Sequence, residues 1–475
     1  MTSLQNLNRT TVETTTRPIK VIQFGEGNFM RGFCDWMIDC MNERAGFNGN
    51  IQIVQPLPQG MGDLLNSQDG LFHLLLQGFY QGKSVNESRL ITSVHGCINP
   101  HEDFEGFRNL AKNPDLQLIL SNTTEAGIVF DSMDRVFYKT PKTFPGKLAL
   151  LLWERYNHFN AAQDKGVHIL PCELIDKNGE VLKNCVLRYA DLWRLPRAFS
   201  DWIHEHNTFY NTLVDRIVPG FPKETAQEIQ QEIGFTDSLL VKAEPFHLWV
   251  IEGPKSIQDI LPIEQSGLQI KVVDDLTPYR TRKVRILNGA HTAMVPLAYL
   301  EGLRTVRECM EDVKFYPVLE KIIFDEIIPS MDMPINELKD FAKDVLDRFR
   351  NPFIHHELAS IALNAVSKFK VRVLPSLVGY YHKNQQLTAT LVKSLAALIL
   401  FYKGDYQDIK LPVNDSPEII AFFSSVWNEP SELSEKVDKI LSNESLWGEN
   451  LGAIKGLKLA VEQELLNYLS EVEAN

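Results

Sequence analysis

"VIQFGEGNFMRG", residues 21–32, is the most informative stretch for the fold. It has the pattern of a buried strand that runs into a glycine turn and then a helix. A dinucleotide-binding loop needs glycines that tighten the turn and let a pyrophosphate approach, and Gly25 and Gly27 meet both needs. Met30 stands where the third glycine is usual, so the helix is expected to lie further from the sheet or to enter at another angle. Alone, this pattern predicts a nucleotide loop and a plain turn about equally.

Strand-like and helix-like segments alternate on both sides of this turn. The runs 19–24 and 51–56 read as strands with a helical pattern between them, and 116–127 is a further strand that ends in a polar loop. The runs 71–80 and 88–96 flank a turn-like segment and predict an antiparallel pair inserted into the alternation. The alternation predicts an α/β fold with a mostly parallel, doubly wound sheet.

The pattern changes near residue 277. Beyond Pro278, strand-like runs become rare and amphipathic or apolar helical segments dominate. We therefore predict two domains, an α/β domain at 1–277 and a mostly α-helical domain at 278–475. A chain of 475 residues is long enough for each of them to have a hydrophobic core.

The composition excludes several classes of partner. The net charge of −13 argues against non-specific binding to nucleic acid or anionic membranes, although a local basic pocket can still bind an anionic substrate. No apolar run approaches the roughly 18 residues of a membrane span, and the N-terminal segment lacks the apolar core of a secretory signal. The six cysteines are scattered without a C-x-x-C pair, so we expect free thiols and a cytoplasmic protein.

The strongest chemical signal is a second pattern, KVRILNGAHT at residues 283–292. On an α-helix, Lys283, Asn288 and His291 would lie at about 0°, 140° and 80° around the axis, on one side of the helix. A partly buried lysine can act as a general base, and an amide and an imidazole beside it can polarise a carbonyl or hydroxyl oxygen. Taken alone, this triplet fits a solvated helix face better than a catalytic site.

These patterns occur together with the blocks NTLVDRIVPG, EPFHLWVIEG and RFRNPFIHHELASIALNAVSKFKVRVLPSL. In this combination the chain resembles the mannitol dehydrogenase family, the long-chain, metal-independent polyol dehydrogenases, over residues 19 to about 380. Lys-x4-Asn-x2-His in this setting is the specific part of the resemblance. The resemblance implies a Rossmann-type N-terminal domain that binds NAD, followed by a mostly α-helical domain, and a small-molecule sugar-acid substrate.

The resemblance also implies which residues form the site. Lys283 matches the catalytic lysine, and Asn288 and His291 match the residues that hold the reacting oxygen. Contacts to the substrate are expected from Asp215, Glu173, Arg280 and Lys368. Contacts to the coenzyme are expected from the glycine turn, the end of the second strand and the polar SNTTEAG loop, namely Phe24, Gly25, Gly27, Asn28, Phe29, Arg31, Gln55, Asn122, Thr123 and Glu125.

Two departures from the mannitol-type branch matter for the substrate. Arg280 stands where that branch has an acid, and Ser360 stands where it has an arginine, so the proton route of that branch cannot be copied here. A carboxylate-bearing substrate needs a cation. The sequence offers Lys368, Arg280, Arg285 and Arg372 and does not choose among them, although a surface or ion-paired base is the favoured interpretation of Arg285 and Arg372.

The end of the second strand bears on the coenzyme. Gln55 and Pro56 stand where a ribose-binding acid is usual, and no arginine is present there to pair with a 2′-phosphate, so NAD is favoured over NADP. Arg31 adds a cation that could reach a phosphate. The histidine pairs at 204/206 and 355/356 lack cysteine or acid ligands at zinc spacing, so no metal site is expected.

The activity that the resemblance implies is the reversible, NAD-dependent reduction of D-tagaturonate to D-altronate in hexuronate catabolism. Within the same chemistry, the alternatives are a fructuronate reductase or a dehydrogenase of neutral polyols. A non-catalytic sensor of sugars or nucleotides is an alternative of another class, and the intact Lys283, Asn288 and His291 argue against it because binding alone does not require that trio.

Overall fold

The computed structural model describes residues 4–124, 126–353, 356–407 and 409–473. The chain divides into a first unit, Met1–Gln77 with Ser84–Thr277, and a second unit, Gly78–Lys83 with Pro278–Asn475. The grouping of the short segment 78–83 with the second unit is a feature that the sequence pattern did not predict.

The strands are mostly short, as in most globular domains. In chain order they are β1 Gln5–Asn6, β2 Ile19–Phe24, β3 Asn50–Val54, β4 Phe72–Tyr80, β5 Lys83–Ile91, β6 Val94–Ile98, β7 Leu118–Ser121, β8 His168–Pro171, β9 Thr208–Phe209, β10 Asn211–Asp215, β11 Phe235–Thr236, β12 Val241–Ala243, β13 Leu248–Glu252, β14 Ile270–Val273, β15 Asp405–Tyr406 and β16 Ile409–Lys410.

The helices dominate the second unit, as predicted. In chain order they are α1 Asn28–Met30, α2 Trp36–Arg44, α3 Gly62–Ser67, α4 Phe104–Asn109, α5 Phe144–His158, α6 Asn178–Leu192, α7 Arg197–His206, α8 Ala226–Ile233, α9 Ile263–Ser266, α10 Thr277–Arg282, α11 Gly289–Leu300, α12 Val306–Glu311, α13 Tyr316–Glu320, α14 Ile335–Phe349, α15 Leu358–Ile361, α16 Ala365–Arg372, α17 Leu374–Asn384, α18 Ala389–Phe401, α19 Pro417–Asn428, α20 Leu433–Leu441, α21 Glu444–Trp447 and α22 Leu457–Glu473. Three π-helical turns, Arg31–Asp35, Lys283–Asn288 and Lys321–Ile327, interrupt them. Across the described ranges, no helix combines the length and apolar character needed to cross a membrane.

A six-stranded sheet in the order β6-β3-β2-β7-β8-β9 forms the centre of the first unit. All of its paired strands run parallel. The chain leaves β2 toward β3 and later returns to the other side at β7, which is the strand order of a Rossmann-type fold and confirms the predicted fold class. Ligands of such sheets bind outside the carboxyl ends of the strands where the order reverses, here between β2 and β7.

The register of the sheet brings the candidate loops to one edge. Phe24, the last residue of β2, is level with Val54 of β3 and Ser121 of β7, and Ser121 is level with Pro171 of β8. The segments that follow these four strand ends therefore begin side by side. Alternate residues of β2 pack into separate cores on the two faces of the sheet, with Val21 on one face and Phe24 on the other.

The run 88–96 is not one strand, and this corrects the predicted hairpin. β5 ends at Ile91, and Val94 begins β6, which joins the parallel sheet beside β3. The hairpin is β4–β5, whose two-residue turn places Gln81 and Gly82 at φ 51° and 72°. Positive φ at both central residues is typical of a type I′ turn, which matches the twist of the strands it joins.

Candidate active site

The turn after β2 contains two glycines, and the reason for glycine differs between the two positions. Gly25 has a φ of +115°, and a Cβ there would lie 2.7 Å from the carbonyl oxygen of Asn122, so both the backbone and the neighbouring loop require glycine. Gly27 has an ordinary φ of −67°, and a Cβ there would meet no protein atom within 4 Å. The fold itself therefore does not require glycine at 27, whereas close approach of a pyrophosphate would.

Met30 is fully inside the core of the first unit, and the chain takes a π-helical turn directly after it. The close approach that a third glycine usually permits occurs two residues later. A Cβ on Gly32 would lie 2.9 Å from Cγ1 of Val218, so glycine is needed there for packing. The departure from the common fingerprint is thus accompanied by a wider helical turn, with i to i+5 hydrogen bonds, and by a shifted glycine.

Arg31 supports the turn from within and does not present a cation at its surface, in contrast to the expected phosphate contact. The side chain is 1% exposed. Its guanidinium donates hydrogen bonds to the carbonyl oxygens of Glu26 and Leu239 and, over 2.7 Å, to Oδ1 of Asn28. Burial lowers the pKa of Arg31 to about 10, so it stays charged and holds both ends of the glycine turn.

The aromatic residues of the turn also differ from the expectation. The side chain of Phe24 is fully buried in the core, with its ring centroid 4.9 Å from that of Phe144, so only its backbone lies at the turn. Phe29 is partly buried and stacks on Phe33 at 5.0 Å. Gly27 and Asn28 are the exposed residues of the turn, and of the predicted set they are the ones placed to meet a ligand.

A cavity of about 480 Å³ lies beyond the end of β3. Gln55 shapes it, because its amide donates to the carbonyl oxygen of Leu57 at 2.8 Å and accepts from the Gly62 amide at 3.0 Å. The lining contains three acids and no lysine or arginine; the acids are Asp63, Glu102 and Asp103. The sequence has no acid at the end of β3, where a ribose-binding acid is usual. In the structure, three carboxylates from later segments line the cavity beyond this strand end.

Glu173 organises the polar loop after β7. It is 2% exposed, and one carboxylate oxygen accepts from the backbone and hydroxyl of Thr123 at 2.9 and 3.0 Å, while the other accepts from the Ser121 hydroxyl at 3.0 Å. Asn122 donates to the carbonyl oxygen of Cys172 at 2.9 Å and fixes the same loop. The resemblance implies a substrate contact for Glu173, whereas in the structure its carboxylate supports the polar loop after β7. Glu125 lies outside the described residues.

Replacing Glu173 with leucine is expected to raise the dissociation constant of NADH by roughly tenfold or more. The change leaves the donors of Ser121 and Thr123 without an acceptor, at a cost of about 1–3 kcal/mol for each buried group. NADH titration followed by fluorescence measures the effect, and Glu173→Gln is the matched control because it keeps an acceptor for Thr123. If Glu173→Leu instead raises KM for the sugar substrate and leaves NADH affinity unchanged, Glu173 is a substrate residue.

Asp215 ends β10, in a second sheet of the order β10-β13-β14. It is 3% exposed, pairs in register with Leu248 and already interacts with a neighbour. Arg216 has a structural role, because it donates to the carbonyl oxygens of Glu244 and Gly32, each at 2.8 Å. These bonds tie the strand to the π-helical turn that follows the glycine loop.

The Lys283 segment is not an α-helix, and this corrects the predicted angles. Lys283–Asn288 forms a π-helical turn, between α10 and α11. In a π-helix each residue bonds to the fifth residue along the chain instead of the fourth, so residues five apart lie on the same side of the helix. Lys283 and Asn288 are five apart and therefore share one face more closely than the α-helical angle of about 140° allows.

His291 follows one turn later in a cage of aromatic rings. Its ring stacks on Phe349 at 4.0 Å and meets His356 edge-on at 5.1 Å. Its Nε2 atom is buried and has no hydrogen-bond partner in the part of the chain that the structure describes. Burial, with the neighbouring His356 and Arg348, lowers the pKa of His291 well below its usual value. The neutral imidazole therefore offers a free nitrogen to a ligand oxygen, which fits the expected role.

Sequence reasoning missed the cage around His291. The sequence places His356 in a histidine pair without metal-ligand spacing, and Phe349 carries no chemical signal of its own. Neither position has a local motif, because ring stacking across about sixty residues of chain is decided by helix packing. Over the residues that the structure describes, no group of three His, Cys, Asp or Glu side chains could hold a metal ion.

The expected basic residues have distinct surroundings. Lys368, on α16, donates to the carbonyl oxygen of Ile361 at 3.0 Å, and burial lowers its pKa. Arg285 donates to the hydroxyls of Ser376 and Ser330 at 2.6 and 2.8 Å. Arg280 is partly exposed and interacts with a neighbour. The two serine contacts give Arg285 a structural role within the second unit.

Comparison with protein families gives two matches that follow one another along the chain. The mannitol dehydrogenase Rossmann domain matches residues 19–265, and the mannitol dehydrogenase C-terminal domain matches residues 275–469.

Comparison with curated proteins gives relatives of nearly the same length. The chain is 47% identical to the altronate oxidoreductase of Bacillus subtilis over 473 residues, which cover 99% of this chain and 96% of that protein. It is 45% identical to the altronate oxidoreductase of Yersinia pestis, with 98% of each chain covered. The altronate oxidoreductase of Phocaeicola vulgatus is 43% identical, with 97% of each covered.

Comparison with solved structures supports the fold. The mannitol 2-dehydrogenase of Pseudomonas fluorescens, in ternary complex with NAD and D-mannitol, has a TM-score of 0.67 at 23% identity and covers 99% of this chain and 98% of its own. A D-sorbitol dehydrogenase in substrate-free form has a TM-score of 0.80 at 20% identity, with 98% and 99% covered.

Proposed function

The chain belongs to the mannitol dehydrogenase family, whose two domains match most of its length, and from this premise we propose that it is an NAD-dependent reductase that converts D-tagaturonate to D-altronate reversibly. It is an oxidoreductase that acts on CH–OH groups, a dehydrogenase of polyols or sugar acids. The name altronate oxidoreductase, carried by relatives of 43–47% identity, supports the acid over the neutral polyol.

The observation that carries the proposal is the pairing of Lys283 and Asn288 on one π-helical face with the unpartnered Nε2 of His291 one turn later. Lys283, as ammonium, gives a proton to the alkoxide that develops from the ketone. Asn288 and His291 donate hydrogen bonds to the same oxygen, where negative charge grows in the transition state. In the reverse direction, neutral Lys283 takes the proton of the alcohol. Bound NADH supplies the hydride.

NAD is the proposed coenzyme. Gly27, where a side chain would meet no protein atom within 4 Å, fits the close approach of a pyrophosphate. The three acids of the cavity beyond β3 offer acceptors to ribose hydroxyls and repel a 2′-phosphate. A repulsion of about 1–2 kcal/mol is enough for a tenfold preference or more.

NADH oxidation with tagaturonate, fructuronate and fructose tests the proposal, and NADPH in place of NADH tests the coenzyme. We expect the highest kcat/KM with tagaturonate and NADH, and a value at least about tenfold lower with NADPH. A preference for fructose over both acids would contradict the sugar-acid substrate. No oxidation with any of the three would favour a non-catalytic sensor.

A further inference from the structure

Four basic residues of the second unit are candidates to bind the substrate carboxylate, and their contacts distinguish among them. This inference rests on the proposed function. Of the four candidate bases, Arg285 is held by two serine hydroxyls, and Arg280 already interacts with a neighbour. The ammonium group of Lys368 already donates a hydrogen bond to a backbone carbonyl oxygen. Arg372 differs from all three, because within the described residues its guanidinium is held only by a bond from Nη1 to the hydroxyl of Thr292, at the long distance of 3.5 Å.

Arg372 is placed beside the reacting residues by the packing of α16 against α11. A Cβ on Gly289 would lie 2.8 Å from the carbonyl oxygen of Arg372, so the end of α16 abuts the start of α11. Thr292, which Arg372 reaches, directly follows His291 along the chain. Lys368 is four residues before Arg372, so both side chains lie on one face of α16.

The charges confirm this placement. Burial is the main cause of the lowered pKa values of Lys368 and His291, and the positive charge of Arg372 lowers both further. The two groups lie on different helices, so the guanidinium is close to both. Arg372 is itself partly buried, and burial lowers its pKa. Within the described part of the chain, no acid offsets this effect of burial on Arg372. The charge of Asp415 acts on Lys368 and not on Arg372. A partly buried guanidinium without an acid is a poor arrangement for stability and a good one for an anionic ligand.

We propose that Arg372 binds the carboxylate of the sugar-acid substrate and thereby sets the preference of the enzyme for acids over neutral ketoses. A guanidinium can donate two parallel hydrogen bonds to a carboxylate, which an ammonium cannot, so Arg372 is the specific anchor and Lys368 adds charge beside it. His291 lies on the adjacent helix, so the carboxylate is held at one end while the ketone oxygen reaches the imidazole.

Steady-state kinetics of Arg372→Met, Arg372→Lys and wild type, with tagaturonate and fructose, test this inference. Methionine keeps much of the length and removes the charge, so KM for tagaturonate should rise about 30-fold or more while kcat stays within about tenfold, as expected when a charged hydrogen-bonded contact is lost. Activity with fructose should be unchanged or higher. The KM of Arg372→Lys for tagaturonate should lie between those of wild type and Arg372→Met. Lys370→Met, on another face of α16, is the matched control and should resemble wild type.

The outcomes separate this inference from the function on which it rests. An active wild type with a KM for tagaturonate within about threefold of that of Arg372→Met would overturn the role of Arg372 alone. A lower kcat with unchanged KM would also overturn it, since that result indicates a structural role near His291. A wild type that reduces neither tagaturonate nor fructuronate would overturn the proposed function together with this inference.

Discussion

Replacing Lys283 with alanine is expected to lower kcat by about 10³-fold or more while the dissociation constant of NADH changes by less than about threefold. The reason is that the alkoxide formed on reduction needs a proton in the transition state, and Lys283 is the group on the π-helical face that can give it. The residues proposed to hold the coenzyme belong to the first unit, and Lys283 belongs to the second, so coenzyme binding survives the change.

Controls separate chemistry from folding in this experiment. Lys343→Ala is a matched lysine variant, because Lys343 is exposed on α14 and pairs with the exposed Asp340 at 3.0 Å, and it should keep the wild-type rate. A small primary amine added to Lys283→Ala should restore part of the activity, since it can supply the missing proton. A variant with near-normal kcat would remove Lys283 from proton transfer.

The parallel sheet could be predicted from the sequence because its cause is local. The apolar runs of β2, β3 and β7 are bounded by glycine, proline or polar loops, and this pattern is typical of strands buried on both faces. The split of residues 88–96 into β5 and β6 could not be predicted in the same way. Both parts consist of residues that favour strands. Val94–Ile98 joins the parallel sheet because it pairs with the free edge of β3, and that edge exists only in the folded structure.

The chemistry of the site was easier to predict than the direction of its side chains. Lys283, Asn288 and His291 occur within nine residues, so their spacing carries the information. The role of Arg31 depends on the carbonyl of Leu239, which is 208 residues away in sequence. A local pattern contains nothing about such a partner. The same holds for the π-helical turn at Lys283, because hydrophobic periodicity over six residues does not distinguish it from an α-helix.

Asp35 is the last residue of the π-helical turn Arg31–Asp35 and is a buried acid. It is completely buried, and neither carboxyl oxygen has a hydrogen-bond partner within the described part of the chain. Burial raises its pKa to about 7; the nearby Gln23 and the charge of Arg31 oppose this, and the charge of Asp39 adds to it. A raised pKa means that the folded state binds the proton more tightly than the unfolded state. The stabilisation is therefore present in acid and is lost as the pH rises from about 4 through 7.

Asp35→Asn should abolish this loss, because the amide resembles the neutral acid and never ionises. The difference in the free energy of unfolding between Asp35→Asn and wild type should grow by about 3–4 kcal/mol in favour of the variant between pH 4 and pH 8, as 1.36 kcal/mol per pKa unit implies. Urea unfolding at several pH values, followed by tryptophan fluorescence, measures it. Asp340→Asn, at an acid that is 74% exposed, is the control and should show almost no such growth. A constant difference across this range would mean that Asp35 is already ionised in the folded protein at pH 4, with a partner that compensates its charge.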